Sequence, residues 1–289
     1  MKIIKIKEFI NLGSNRTINA KKNIIQSFLI KIISIISGLL IVPMTITYVN
    51  KTQYGIWLTL SSFISWFSFF DIGFANGLRN KFTEYKAKGK HFLVKIYISS
   101  TYGFLALIFI SVWVLFFLIN HKIDWTIILN APLELKSELS IVAVIVLSFF
   151  CVQIVLNTIN TILLADQKPA KVALINTFGQ LINLLIIYFL TLTTDGSLIY
   201  LALAIGIGPL LVTILASIFF FNSSYKKYSP SIYLIRIKYA RSIMSLGTKF
   251  FFIQIAAIIV YLAMRKIYQR IRMVILAVMN IGATHITDN

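Results

Sequence analysis

Carboxylates are scarce in this chain: nine Asp and Glu stand against 28 Lys and Arg in 289 residues, a net charge of +19. Charged residues of both signs make up only 13% of it and apolar residues 58%, whereas soluble domains carry about 25% charged residues. That composition is too poor in charge for a water-facing surface, and the mean hydropathy of +0.85 places the chain in the membrane class. Cysteine is nearly absent as well. Cys151 stands alone in an apolar run, which excludes an intramolecular disulfide and reads as a buried thiol. His91, His121 and His285 share no metal spacing, and there is no Walker loop, dinucleotide fingerprint or GxSxG motif. Neither catalysis nor a cofactor is therefore implied. Residues 1–23 lack the short apolar core and cleavage site of a signal peptide and read as a retained cytoplasmic arm.

What is abundant is apolar length. A membrane-spanning helix needs roughly 20 mostly apolar residues, because hydrocarbon leaves no backbone group satisfied from outside. Seven segments qualify, near 24–49, 53–74, 92–119, 139–164, 172–193, 197–221 and 249–264. The expected fold is an all-α polytopic bundle: a six-helix lobe over 24–221, a basic connector over 222–248, a seventh helix, and an atypical tail over 265–289.

Cations fall in alternate connections. The arm and the segments 75–91, 165–171 and 222–248 hold eighteen Lys and Arg, while the intervening connections hold only Lys51, Lys122 and Lys136. By the positive-inside rule the N-terminus faces the cytoplasm. Cations placed between apolar runs point to topology and anionic lipid headgroups, not to a nucleic-acid surface. The stretch RIKYARSIMSLGTK at 236–249 reads as interfacial and amphipathic. The last 25 residues disagree with this pattern, since Arg265, Lys266, Arg270 and Arg272 would lie outside.

Four spans carry polar residues at i, i+4, i+7, on one helix face. They are Ser27, Lys31 and Ser34, with Gly38; Ser61, Ser65 and Ser68; Gln153, Asn157 and Asn160; and Asn176, Gln180 and Asn183. Two readings stand for each set: interhelical hydrogen bonds worth under about 2 kcal/mol apiece, or the lining of a hydrated cavity that takes hydroxyl-rich molecules. Lys31 either snorkels to the surface or attracts an anion such as a phosphate. Gly206, Gly208 and Pro209 weaken the sixth span near mid-membrane, where broken helices line some transport sites. In FFDIGFANGLRNKF, Asp71 either pairs locally with Arg79 or Lys81 or serves gating or coupling; Gly73 and Gly77 mark either a helix end or a close helix approach.

Pro43, the YGIW turn at 54–57 and FDIGFANGLRN at 70–80 together resemble the N-terminal signature of the Wzx-type O-antigen and polysaccharide flippases, within the multidrug, oligosaccharidyl-lipid and polysaccharide exporter superfamily. The resemblance covers roughly residues 20–262, and the chain reads as C-terminally shortened relative to it. It implies a bacterial inner-membrane transporter that moves undecaprenyl-diphosphate-linked oligosaccharides for surface polysaccharide or lipopolysaccharide. Its partners would be membrane lipids, that lipid-linked substrate and other polysaccharide-assembly proteins. On this resemblance Lys31 and Lys95 would attract the diphosphate; Ser34, Gln153, Asn157, Asn160, Asn176, Gln180 and Asn183 would line the substrate cavity; Asp71, Arg79, Gly206, Gly208 and Pro209 would gate or couple. A multidrug exporter of the same superfamily and a membrane-embedded polymerase or ligase are the alternatives. The lysine in the first span argues against the former, the short outer loops against the latter.

Overall fold

The structure is a computed structural model that describes residues 15–66 and 68–245, together with Thr248, Ala256, Val260 and Met264; side chains of 15–23 and 63–74 fall outside this description. The described residues form helices and no strand. In chain order they are α1 (Asn15–Trp66), α2 (Ser68–Ala87), α3 (His91–Asn120), the short α4 (Trp125–Leu129), α5 (Lys136–Leu156), α6 (Thr158–Ala165), α7 (Pro169–Thr193), α8 (Leu198–Asn222) and α9 (237–245). Five helical stretches are long and apolar enough to cross a membrane: Ile24–Ser62, His91–Asn120, Leu133–Ala165, Pro169–Thr193 and Leu198–Asn222. Leu39, Leu107, Leu118, Phe189, Leu215 and Phe219 are each 60–69% exposed along them. Such an apolar belt is unstable in water and matches lipid tails. The chain is a multi-pass membrane protein.

The connections gather at two ends. At one, Lys86 pairs with Asp166, Tyr225 donates to Asp166 (2.7 Å), and Tyr228 hydrogen-bonds His91 Nδ1 (2.8 Å). At the other, Tyr48 bonds Thr194 (2.9 Å), and the Glu138 carboxylate accepts from Ser197 Oγ (3.0 Å) and the Leu198 amide (2.8 Å), capping α8. The first end is rich in lysine, as the alternation of cations requires.

α1 is two helices that meet at a kink at Asn50, whose φ of 68° and ψ of 169° are not helical. Asparagine tolerates positive φ better than most residues. Here its Oδ1 accepts the Gln53 amide (3.0 Å) and its Nδ2 donates to Gln53 Oε1 (3.1 Å), which starts the next helix much as a capping box does. Tyr48 lies at the lysine-poor end and Lys86 at the other, so the chain reverses here, where sequence places the gap between the first two spans.

One expected boundary moves and one expected span is interrupted, while the third span lies where sequence places it. The second span does not end at 74: helix continues through Ala87 and stops at a turn where Gly89 has φ 68°. Gly77 is therefore not a helix end. A β-carbon there would lie 2.6 Å from the Ile243 carbonyl of α9, so close approach explains this glycine. The fourth span is interrupted at Asn157, although Asn157 N still donates to Gln153 O (2.8 Å) and Thr161 N to Asn157 O (3.2 Å), so the hydrogen-bond ladder runs on. The third span is longer than hydrocarbon needs: α3 has 30 residues, about 45 Å against about 30 Å. Its first turns are sheathed by the connector, with Ser231 N donating to Ser99 Oγ (3.0 Å), Arg236 N to Ser100 Oγ (3.0 Å), and Ile235 lying over Gly103. α9 turns Ala240 and Ile243 inward and Lys238 and Arg241 outward, the amphipathic helix expected there. Of the proposed seventh span only Ala256, Val260 and Met264 are described, and the tail lies outside the described residues.

Candidate functional site

α1 and α7 run parallel in strict register. Ser34 donates to Gln180 Oε1 and Tyr48 bonds Thr194, both pairs 146 residues apart in sequence, with 14 residues between them on each helix. One turn nearer the lysine-rich end, Lys31 on α1 and Asn176 on α7 are both exposed. Gly38, one turn the other way, leaves room beside Gln180 Nε2.

α7 and α8 pack closely because both carry glycine at the crossing. A β-carbon on Gly179 would lie 2.9 Å from Pro209 Cα; one on Gly208 would lie 2.7 Å from the Gly179 carbonyl and overlap Asn183 Oδ1. The proline sets the chemistry. Pro209 has no N–H, so the carbonyl four residues earlier, Ile205 O, loses its helical donor. Asn183 Nδ2 takes that place at 3.0 Å. In hydrocarbon, where an unpaired carbonyl costs several kcal/mol, this substitution makes a mid-span proline tolerable. Gly206, two residues from the crossing, accommodates the Phe149 ring of α5.

From α8 the polar seam continues to α5. Thr213 Oγ1 donates to Pro209 O (2.7 Å) and accepts from Gln153 Nε2 (3.0 Å), which also donates to Asn157 Oδ1 (3.0 Å); Asn160 Nδ2 donates to that same oxygen (3.2 Å). Asn160 and Asn183 are buried, and Gln153 and Asn157 partly so. Three carboxamide oxygens along the seam, on Gln153, Asn160 and Asn183, accept no hydrogen bond from the described protein. Ser34, Gln153, Asn157, Asn160, Gln180 and Asn183 thus fall on one seam that threads α1, α7, α8, α5 and α6, with Lys31 and Asn176 open at its side.

The other expected residues sit apart. Arg79 is exposed on α2, and among the described residues it forms no ion pair; Lys81 pairs with Glu84 (3.0 Å). Asp71 lies on the backbone of α2, but its side chain is outside the described residues. Lys95 is half-buried on the sheathed part of α3.

The lysine-rich end holds a cluster that sequence reading did not identify. Asp166 accepts from Lys86, from Lys168 (2.5 Å) and from Tyr225 (2.7 Å), and Lys168 also reaches the Tyr225 hydroxyl (3.0 Å). Burial opposes ionisation of Asp166, but the bonds from Lys168, Lys86 and Tyr225 outweigh it and hold its carboxyl below the usual value. Burial and the Asp166 charge push the Tyr225 phenol up. The one available signal was that Asp166 is the only carboxylate between Glu138 and Asp195. At the opposite end Asp124 caps α4, accepts from Lys136 (2.7 Å) and Thr126, and is held down to about 2 by those bonds.

Comparison with family models, curated proteins and solved structures finds no match to this chain.

Proposed function

We propose that this protein carries a lipid-linked polar molecule across the bilayer, as flippases of undecaprenyl-diphosphate-linked oligosaccharides do. The observation that carries this reading is the polar seam. It begins at exposed Lys31 and Asn176 and runs through five helices whose described outer surface is mostly apolar. A glycan cannot enter hydrocarbon unaided, whereas its prenyl chain stays in lipid; only the polar part needs shelter. A cation near the lysine-rich end suits a diphosphate, and the carboxamide oxygens of Gln153 and Asn160, which accept no hydrogen bond from the described residues, suit sugar hydroxyls.

The test is complementation of a bacterial strain deleted for its own O-antigen flippase, with long-chain polysaccharide scored on gels. The chain is expected to restore polymer, Lys31→Arg to keep it and Lys31→Ala to lose most of it. No polymer from the well-expressed chain rejects the proposal, and full activity of Lys31→Ala rejects the role of Lys31.

A further inference from the structure

A row of aromatic rings closes the lysine-rich end where α7 begins and α8 stops. Phe220 and Tyr225 have centroids 6.1 Å apart, Tyr225 and Tyr228 6.4 Å, and Tyr228 meets Phe82 of α2 edge-on at 5.7 Å. All four are buried at 9% exposure or less, so the row is a rigid part of the core. A lysine stands over each ring: Lys171 over Phe220 (5.0 Å), Lys168 over Tyr225 (4.9 Å), Lys227 over Tyr228 (5.0 Å) and Lys86 over Phe82 (5.5 Å). Stacking of this kind restrains an ammonium that would otherwise wander with its stem.

The charges do not balance. Asp166 serves Lys86 and Lys168, and among the described residues Lys171, Lys226 and Lys227 form no ion pair. Five cations and one carboxylate leave a net +4 on a preorganised surface. Lys171 is in the first turn of α7 and Lys227 five residues beyond the end of α8, so both mark the hydrocarbon boundary. Just inside it, Phe219 and Leu215 are each 64% exposed and face lipid tails.

We infer that Lys171 and Lys227, flanking the Phe220–Tyr225–Tyr228 row, bind the phosphodiester headgroup of an anionic phospholipid whose tails lie along α8. Ordinary screening lysines extend freely into water; these are seated on rings and stand above an apolar wall. The charge calls for an anion, and the wall calls for one attached to a chain. The inference is independent of any transported substrate.

The experiment is a titration of the purified full chain in neutral detergent with phosphatidylglycerol, read by native mass spectrometry. Phosphatidylglycerol is expected to bind well above phosphatidylcholine, with inorganic phosphate a poor competitor. Lys171→Gln with Lys227→Gln should weaken phosphatidylglycerol roughly thirty-fold, about fivefold for each lysine. The two arginine replacements should retain it, and Lys88→Gln, at a lysine paired with Glu84 (2.7 Å), should not change it. Equal binding of the two lipids by the unaltered chain overturns the inference, and needs no variant to fold. So does undiminished binding by the glutamine pair, and so does inorganic phosphate that competes as well as the lipid, which would mark a site for a free anion.

Discussion

Asp166→Asn removes one charge from the point where α2, the turn between α6 and α7, and the segment after α8 meet. The carboxylate side chain is 12% exposed and accepts from Lys86, Lys168 and Tyr225. A carboxamide of the same shape still accepts one hydrogen bond, but it leaves Lys86 and Lys168 as like charges with no anion between them. Breaking a fully buried pair costs about 3–5 kcal/mol. These lysines are 37% and 34% exposed, so water screens both, and a loss of about 2 kcal/mol is expected. Unfolding of the purified protein from mixed micelles by dodecyl sulfate, followed by helical circular dichroism, measures it. Lys86→Met and the double variant complete a cycle, in which a coupling near 1 kcal/mol should separate residues 86 and 166 from additivity. The sign with pH is fixed as well. Because folding lowers the Asp166 pKa, its contribution is complete above the ordinary value of 3.8 and is lost as pH falls through the lower folded value. Asp166→Asn should remove that acid dependence. A loss under about 0.5 kcal/mol with no coupling to Lys86 would refute the view that this carboxylate ties three segments together.

Asn183→Ala should cost about 1–3 kcal/mol in the same titration, because it strips the Ile205 carbonyl of its donor. Adding Pro209→Ala restores a helical N–H to that carbonyl and should recover much of the loss; no recovery would show that Asn183 matters for another reason. Gly77→Ala gains about 1 kcal/mol of helix propensity but drives a methyl to 2.6 Å from Ile243 O, so a net loss of about 1–2 kcal/mol is expected, and a more stable variant contradicts the packing. In a Cys151→Ser background, a membrane-impermeant maleimide should label a cysteine at Asn130 in intact cells and one at Ser224 only after lysis. The opposite pattern inverts the orientation read from the lysines.

Helical class, the apolar runs and the two unlike ends were legible because each follows from local composition. Twenty apolar residues have one stable form in lipid, and a lysine has a side of the membrane that it favours. Asn50 could be placed between two spans for the same reason: the apolar run stops there. The extent of α2 was not legible. Cations suggest a connection, yet Thr83, Tyr85 and Lys86 are good enough helix residues, and Phe82 (fully buried) and Leu78 (1% exposed) pack that helix into the core. The amides were legible as a stripe but not in their bonds. Nothing in the spacing of Asn176, Gln180 and Asn183 says that Ser34, 146 residues earlier, donates to Gln180 or that Asn183 repairs a proline on the next helix.

Sequence by itself determined that this chain lives in a membrane, which segments share an end, and which residues are too polar to face lipid. Tertiary structure decided their partners. It brought Asp166 to Lys86 and Tyr225, turned Gly77 and Gly208 into contact points, and joined three separate polar stripes into one seam. The physical reason is range: hydrophobic length and charge sidedness act residue by residue against the bilayer, whereas a hydrogen bond or a packed glycine needs a second helix at a distance that no local pattern encodes.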